Sequence, residues 1–207
     1  MRHVVITRML YREDEPFFQR LELYKAYTLK SLREQTNQNF DIAVLCSKQH
    51  AHIFRKMDII PFFTRSDYFG EFSQETKTWH VKVPWGEIEG LREYEIQTNL
   101  DSDDFVSSDY IEAVQELSHG DKSIHIHFQP TLVDIKTGEH KKMRNRYDDK
   151  TGSAFYSLYQ PNPQEYIYIG IDGHRKMQQY ADKTVFIGEG YAFVGIHDHN
   201  DSTTINS

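Results

Sequence analysis

Three short runs of β-branched and aliphatic residues, spaced by segments of helical period, constrain this chain most. They are His3-Val-Val-Ile-Thr7, Ile42-Ala-Val-Leu45 and Ile59–Phe63. Between the first two, Leu21, Tyr24, Thr28 and Leu32 fall on one face of a segment from about Phe17 to Gln35, with charges elsewhere, which predicts an amphipathic helix. A shorter helix is expected at His50–Lys56, and Pro61 marks the third run as irregular or at a sheet edge. Strand, helix, strand, helix, strand is the order that builds a parallel sheet with helices packed on it. The expected fold class is therefore α/β, with a parallel sheet.

The rhythm breaks over residues 64–90, which hold Trp79, Trp85 and Pro84 and read as an irregular excursion with one strand at His80–Val83. Tyr94, Ile96, Thr98 and Leu100 then alternate with polar residues, predicting a strand. A helix is expected from Ser108 or Asp109, where Asp109 and Glu112 have capping-box spacing ahead of Ile111, Val114 and Leu117. Further strands are expected at Ser123–Phe128, Leu132–Ile135, Phe155–Tyr159, Tyr166–Ile171, Val185–Ile187 and Tyr191–Ile196. Lys136-Thr-Gly-Glu139 reads as a hairpin turn and His174–Tyr180 as a helix. With no repeat, low-complexity tract or linker, one domain over residues 1–207 is the simplest organisation.

Chemistry concentrates where the Tyr94–Leu100 strand ends. Asp101, Asp103 and Asp104 place three carboxylates within four positions, followed at once by a helix start. Crowded carboxylates repel, and a hard divalent cation such as Mg²⁺ or Mn²⁺ relieves the repulsion while sharing its open positions with substrate phosphates. The carboxyl ends of strands are where open α/β sheets bind ligands. If strand geometry persists, Asp101 and Asp103 point to one side and address a metal or a ribose. A solvated turn with a helix N-cap would carry the same residues. Thr7 and Arg8 end the first strand and are candidates for contacts to a nucleotide base or phosphate. His197-Asp-His199 offers two imidazoles that an extended backbone places on one side, suited to a metal. His125 and His127 share a strand face, where ordinary hydrogen bonding is the plainer explanation.

These pieces resemble a known family. Thr98-Asn-Leu-Asp-Ser-Asp-Asp104 is similar to the Asp-x-Asp region of glycosyltransferases with the GT-A fold, which implies a Rossmann-like α/β architecture with a mixed, mostly parallel central sheet flanked by helices. More narrowly, His3-Val-Val-Ile-Thr-Arg8, Tyr27-Thr-Leu-Lys-Ser-Leu-Arg-Glu-Gln-Thr36 and Ile196-His-Asp-His-Asn-Asp-Ser202 join that motif in the order found in the rhamnosyltransferase family. The resemblance implies a nucleotide-sugar donor held by residues 1–104 and a glycan or glycolipid acceptor held by residues 105–207. It implies Mn²⁺ or Mg²⁺ at Asp103, with Asp101 near the ribose or the metal, and a late histidine, His197, as a further ligand with His199 close by. Family members tend to carry a basic residue just before the acidic motif; this chain has Asn99, which bears on the donor phosphate contacts and on the sugar. If the anomer is inverted, a carboxylate must take the acceptor proton, and Asp172, after the Tyr166–Ile171 strand, fits that position, with Glu189 the alternative.

Composition narrows the alternatives. A net charge of −7 with no long basic stretch argues against non-specific nucleic-acid binding. Lys141, Lys142, Arg144 and Arg146 could draw in a diphosphate, although a solvated hairpin face explains them as well. No transmembrane segment or secretory h-region is evident, and the single Cys46 sits in an apolar run, so a cytoplasmic setting is expected, with membrane-peripheral association only through a lipid-linked acceptor. A Mg²⁺-dependent nucleotidyltransferase would more strongly require a Gly-rich loop, and Ile6-Thr-Arg-Met-Leu10 has none. A carbohydrate-binding scaffold with a degenerate site is the non-enzymatic rival.

Overall fold

The computed structural model describes residues 1–9, 14–63, 71–73, 78–80, 90–141, 155–162 and 181–197. The expected strand at Tyr166–Ile171, the helix at His174–Tyr180 and the candidates Lys142, Arg144, Arg146, Asp172 and His199 lie outside the described residues.

Eleven strands are described: β1 (His3–Met9), β2 (Asp41–Cys46), β3 (Ile60–Phe62), β4 (Glu71–Ser73), β5 (Thr78–His80), β6 (Ile96–Asn99), β7 (Phe105–Val106), β8 (Ile124–Asp134), β9 (His140–Lys141), β10 (Tyr156–Tyr159) and β11 (Lys183–Ile196). All but β4 and β5 form one nine-stranded sheet of order β3-β2-β1-β6-β10-β8-β11-β7, with β9 on β8. β1 pairs parallel with β2 and β6, and β8 with β11, but β10 enters antiparallel between β6 and β8. Among the described residues the sheet is thus mixed as expected but not mostly parallel, because β7, β9 and β10 all pair antiparallel with their neighbours. β1 is buried along its length except at Arg8, as a central strand covered on both faces must be. β3, with Pro61, is an edge strand, where a missing N–H costs no ladder bond.

One face of the sheet is covered by helices. The helix expected from Phe17 is a continuous helical segment from Asp14 to Arg33, but not a uniform one: α1 (Asp14–Leu23) passes through a π-helical stretch, Tyr24–Leu29, into α2 (Lys30–Arg33). Phe17, Leu21, Tyr24 and Leu29 pack with Met9, Val44 and Cys46, and with Phe54 from α3 (Ala51–Arg55). α4 (Tyr110–Leu117) places Tyr110, Ile111 and Val114 against Ile96, Ile126, Phe128 and Phe155. The opposite face buries Val4, Ile6, Ala43, Leu45, Tyr156 and Leu158 beneath Phe62, Leu91 and Tyr94. Since burying one such side chain is worth about 1.5–3 kcal/mol, these two layers supply the bulk of the driving force.

A buried polar chain pins β10 into the sheet. His3 Nε2 lies 2.8 Å from Thr98 Oγ1, which lies 2.6 Å from Ser157 Oγ. Burial lowers the His3 pKa to about 3, so the ring is neutral and one nitrogen accepts.

Several local expectations needed tertiary information. The polar partners in the β6 alternation, Gln97 and Asn99, are buried because both faces are covered. Ser123–Phe128 and Leu132–Ile135 belong to one strand, β8, which carries Pro130 past the register shift between Ile187 and Ala192 of β11; a bulge tolerates the missing donor. The Lys136–Glu139 turn joins β8 to β9. β5 starts at Thr78, before the expected His80, and pairs with β4. The capping box does not form. Asp109 Oδ1 accepts from Ser107 Oγ at 2.5 Å, and the Ile111 amide at the helix start is taken by Gln35 Oε1 at 3.0 Å. That amide is therefore satisfied from within the protein.

Candidate functional site

Strand order reverses direction at β1: the chain moves outward to β2 and β3, then returns to β6 on the other side of β1. The carboxyl ends of β1 and β6 therefore bound the switch-point crevice where α/β sheets take ligands. Arg8 stands at one lip and Asp101 at the other, with Arg8 Nη2 3.3 Å from Asp101 Oδ1.

The strand does not continue past Asn99. Residues 101–104 turn sharply, with the Asp104 amide donating to the Asp101 carbonyl at 3.3 Å. Asp101 and Asp103 consequently do not share a strand face, correcting the extended-chain expectation. Asp101 turns to Arg8. Asp103 turns inward, where its Oδ2 meets Arg20 Nη1 of α1 at 2.5 Å and His197 Nε2 at 3.0 Å. Asp104 is buried, and that burial, reinforced by the charges of Asp103 and Asp101, raises its carboxyl well above the usual range. The Gly195 amide and Arg20 act in the opposite sense.

Two elements hold this turn. From the π-helical stretch, the Thr28 hydroxyl donates toward the carbonyls of Asp104, at 2.6 Å, and Asp101, at 3.2 Å. A π-helical turn is rare, and where one occurs inside an α-helix it is frequently at a functional site. From the other side comes the end of β11, where a Cβ on Gly195 would stand 2.5 Å from the Asp103 carbonyl oxygen. Glycine alone allows that approach, and two residues later it delivers His197, whose side chain is 4% exposed, onto Asp103.

The remaining candidates distribute as follows. Thr7 is fully buried in β1 on the face opposite Arg8, and its hydroxyl has no hydrogen-bond partner. Asn99 is buried between Ile6 and Tyr156. Glu189 is exposed at the irregularity in β11 and accepts from Gln129 Nε2 at 3.2 Å. His125 is fully buried, and the hydrogen bonds expected of it are not formed: neither ring nitrogen has a partner.

Arg20, Thr28 and Gly195 were not singled out as site residues by sequence reasoning. Gly195 carried a signal, an isolated glycine inside the apolar run Ala192–Ile196, which points to close backbone approach. Arg20 interrupts the Phe17–Tyr24 apolar stripe, and Thr28 was legible only as a buried helix position.

Asp103 and His197 present a carboxylate oxygen and an imidazole nitrogen to one another, a donor pair that suits Mn²⁺ or Mg²⁺ completed by substrate phosphate oxygens and water. Among the described residues no third His, Cys, Asp or Glu joins them as a complete cage. Among the described residues no helix is long and apolar enough to cross a membrane.

The fold is shared with TarS from S. aureus. The 1–349 structure in complex with UDP-GlcNAc matches with TM-score 0.57 and 13% identity, covering 99% of this chain and 62% of that one. A second TarS 1–349 structure gives 0.56, 13%, 94% and 60%, and a longer TarS structure gives 0.57, 14%, 95% and 37%. This chain thus spans about six-tenths of the length of the 1–349 structures. No curated protein sequence matches it. The sequence model of the family described as "Putative rhamnosyl transferase" matches residues 6–207, the acidic turn, Arg20 and His197 included, and the chain belongs to that glycosyltransferase family.

Proposed function

We propose that this chain forms the GT-A-type domain of a metal-dependent glycosyltransferase that takes a nucleoside-diphosphate sugar as donor. The observation that carries the reading is the acidic turn at the β1/β6 switch point, with His197 of β11 and Arg20 of α1 converging on Asp103. The bound UDP-GlcNAc of the TarS structure supports a donor of this class, and a uridine nucleotide is the first to test. Rhamnose, the sugar in the family's description, is the first sugar to test.

In this reading Asp103 and His197 hold Mn²⁺ or Mg²⁺, which would serve as the Lewis acid for the departing diphosphate. Asp101 and Arg8, at the exposed lip, contact the ribose and phosphates. Thr28 and Gly195 fix the turn so that both substrates meet in reactive geometry, which lowers the barrier by orientation. Asp172 is the proposed base that takes the acceptor hydroxyl proton, with Glu189 the alternative, for a glycan or glycolipid acceptor bound by residues 105–207. The expected setting is cytoplasmic, at a membrane periphery if the acceptor is lipid-linked.

The test is hydrolysis of nucleotide sugars, which needs no knowledge of the acceptor. Asp103→Ala should abolish Mn²⁺-dependent donor hydrolysis while leaving the thermal transition cooperative. A folded Asp103→Ala protein that hydrolyses donor at the wild-type rate removes the reading.

A further inference from the structure

Resting on the proposed function, the geometry points to a second role for Arg20: we infer that it holds Asp103 while the site is empty and becomes a ligand of the donor diphosphate when the site fills. Arg20 and His197 sit on the same oxygen of Asp103, Oδ2. A divalent cation bonded to that oxygen would lie close to a guanidinium 2.5 Å from it, and like charges at that range repel strongly in a partly buried site. That repulsion favours departure of one of the two partners. His197 is fixed by the close passage of Gly195 over Asp103 and has a side chain 4% exposed; Arg20 lies on a long stem from α1 with a side chain 25% exposed. Arg20 is the mobile partner.

Charge decides where it goes. In the structure Asp101 pairs with Arg8 and Asp103 with Arg20, two neutral pairs. A divalent cation and a nucleoside diphosphate in its sugar ester arrive as a further neutral pair. Exchange of partners keeps every charge matched: the carboxylates turn to the cation, and the guanidinium groups turn to the phosphate oxygens, which they can grip through two parallel N–H bonds. Arg20 in its resting position also keeps Asp103 from being an uncompensated buried charge, which would be costly. The same pairing makes binding of a cation alone unfavourable, since it would displace Arg20 with no phosphate to receive it. Cation and donor would therefore load together.

The test uses the full chain and two probes, Mn²⁺ alone, followed by the electron-spin-resonance signal of the free ion, and UDP in saturating Mn²⁺, followed by calorimetry. Arg20→Met keeps the apolar stem and removes the charge. It should bind Mn²⁺ alone about tenfold more tightly and UDP about tenfold more weakly than wild type. Arg20→Lys, which keeps the charge without the fork, should hold Mn²⁺ affinity near wild type and still weaken UDP. Opposite shifts are the signature; a purely structural arginine would weaken both constants together, and that result, or two unchanged constants, overturns the inference alone. Wild-type protein that binds neither probe overturns the proposed function and this inference with it.

Discussion

Replacing Gly195 by alanine should damage the site through the backbone alone, and the size of the damage can be worked out. A Cβ there would stand 2.5 Å from the Asp103 carbonyl oxygen and 3.2 Å from Ile135 Cγ2. Comfortable non-bonded contact lies near 3.5–4.0 Å, so β11 and the acidic turn must separate by about 1 Å. Overpacking of this kind costs about 1–3 kcal/mol, and each kcal/mol lowers the Tm of a domain this size by about 2–4 °C. The functional loss should exceed the stability loss. A displacement of about 1 Å in a site that works by positioning costs about 100-fold in rate. The shift also parts His197 from Asp103 and takes the Gly195 amide away from Asp104. Gly188→Ala is the internal control: it lies in the same strand with nothing within 4 Å of its would-be Cβ, so it should move stability by less than about 0.5 kcal/mol. Thermal denaturation and donor hydrolysis on both variants provide the comparison. Equal Tm and equal hydrolysis for Gly195→Ala and Gly188→Ala would refute the claim that close approach of β11 sets the site.

Two further outcomes are expected. Thr28→Val removes the hydroxyl that meets the Asp101 and Asp104 carbonyls and should cost about 1–3 kcal/mol, read by denaturant titration, with Thr28→Ser close to wild type. His125→Leu should be neutral or stabilising at pH 8, because neither ring nitrogen of His125 has a partner to lose. Burial, with a smaller contribution from His127, lowers the His125 pKa from 6.5 to about 4. The unfolded chain therefore takes up a proton below pH 6.5 that the folded chain refuses until about pH 4. Stability from neutral His125 is complete above pH 6.5 and is lost as pH falls toward 4, so the leucine variant should lose about 1.4 kcal/mol per pH unit less across that window.

The parts of the fold legible in the sequence were those fixed locally. β1, β2 and the edge strand β3 announce themselves through β-branching and a proline, and β6 with its acidic turn follows the same logic. What was not legible depends on partners distant in sequence. Nothing near Tyr156–Tyr159 reveals that this strand enters antiparallel between β6 and β8; the buried contact of Thr98 with Ser157 helps hold it there. The capping residues Asp109 and Glu112 were outcompeted by Gln35, 76 residues before Ile111 in the chain. The π-helical stretch, which sets Thr28 beneath the acidic turn, has no marker in the local sequence.

The candidate site divides in the same way. Asp101, Asp103 and Arg8 stand out as candidates because they end two strands, and His197 through the family resemblance; the structure brings Arg8 to Asp101 and His197 to Asp103. Arg20 was not, because an arginine on a helix is ordinary until the helix is docked.

The most direct test is a crystal of the protein soaked with Mn²⁺ and UDP, read by anomalous scattering at the manganese edge. A manganese peak bonded by Asp103 and His197 is expected, with the diphosphate on its open side and Arg20 turned from Asp103 to the phosphates. UDP bound with no manganese between it and Asp103, or manganese bound elsewhere, would contradict it.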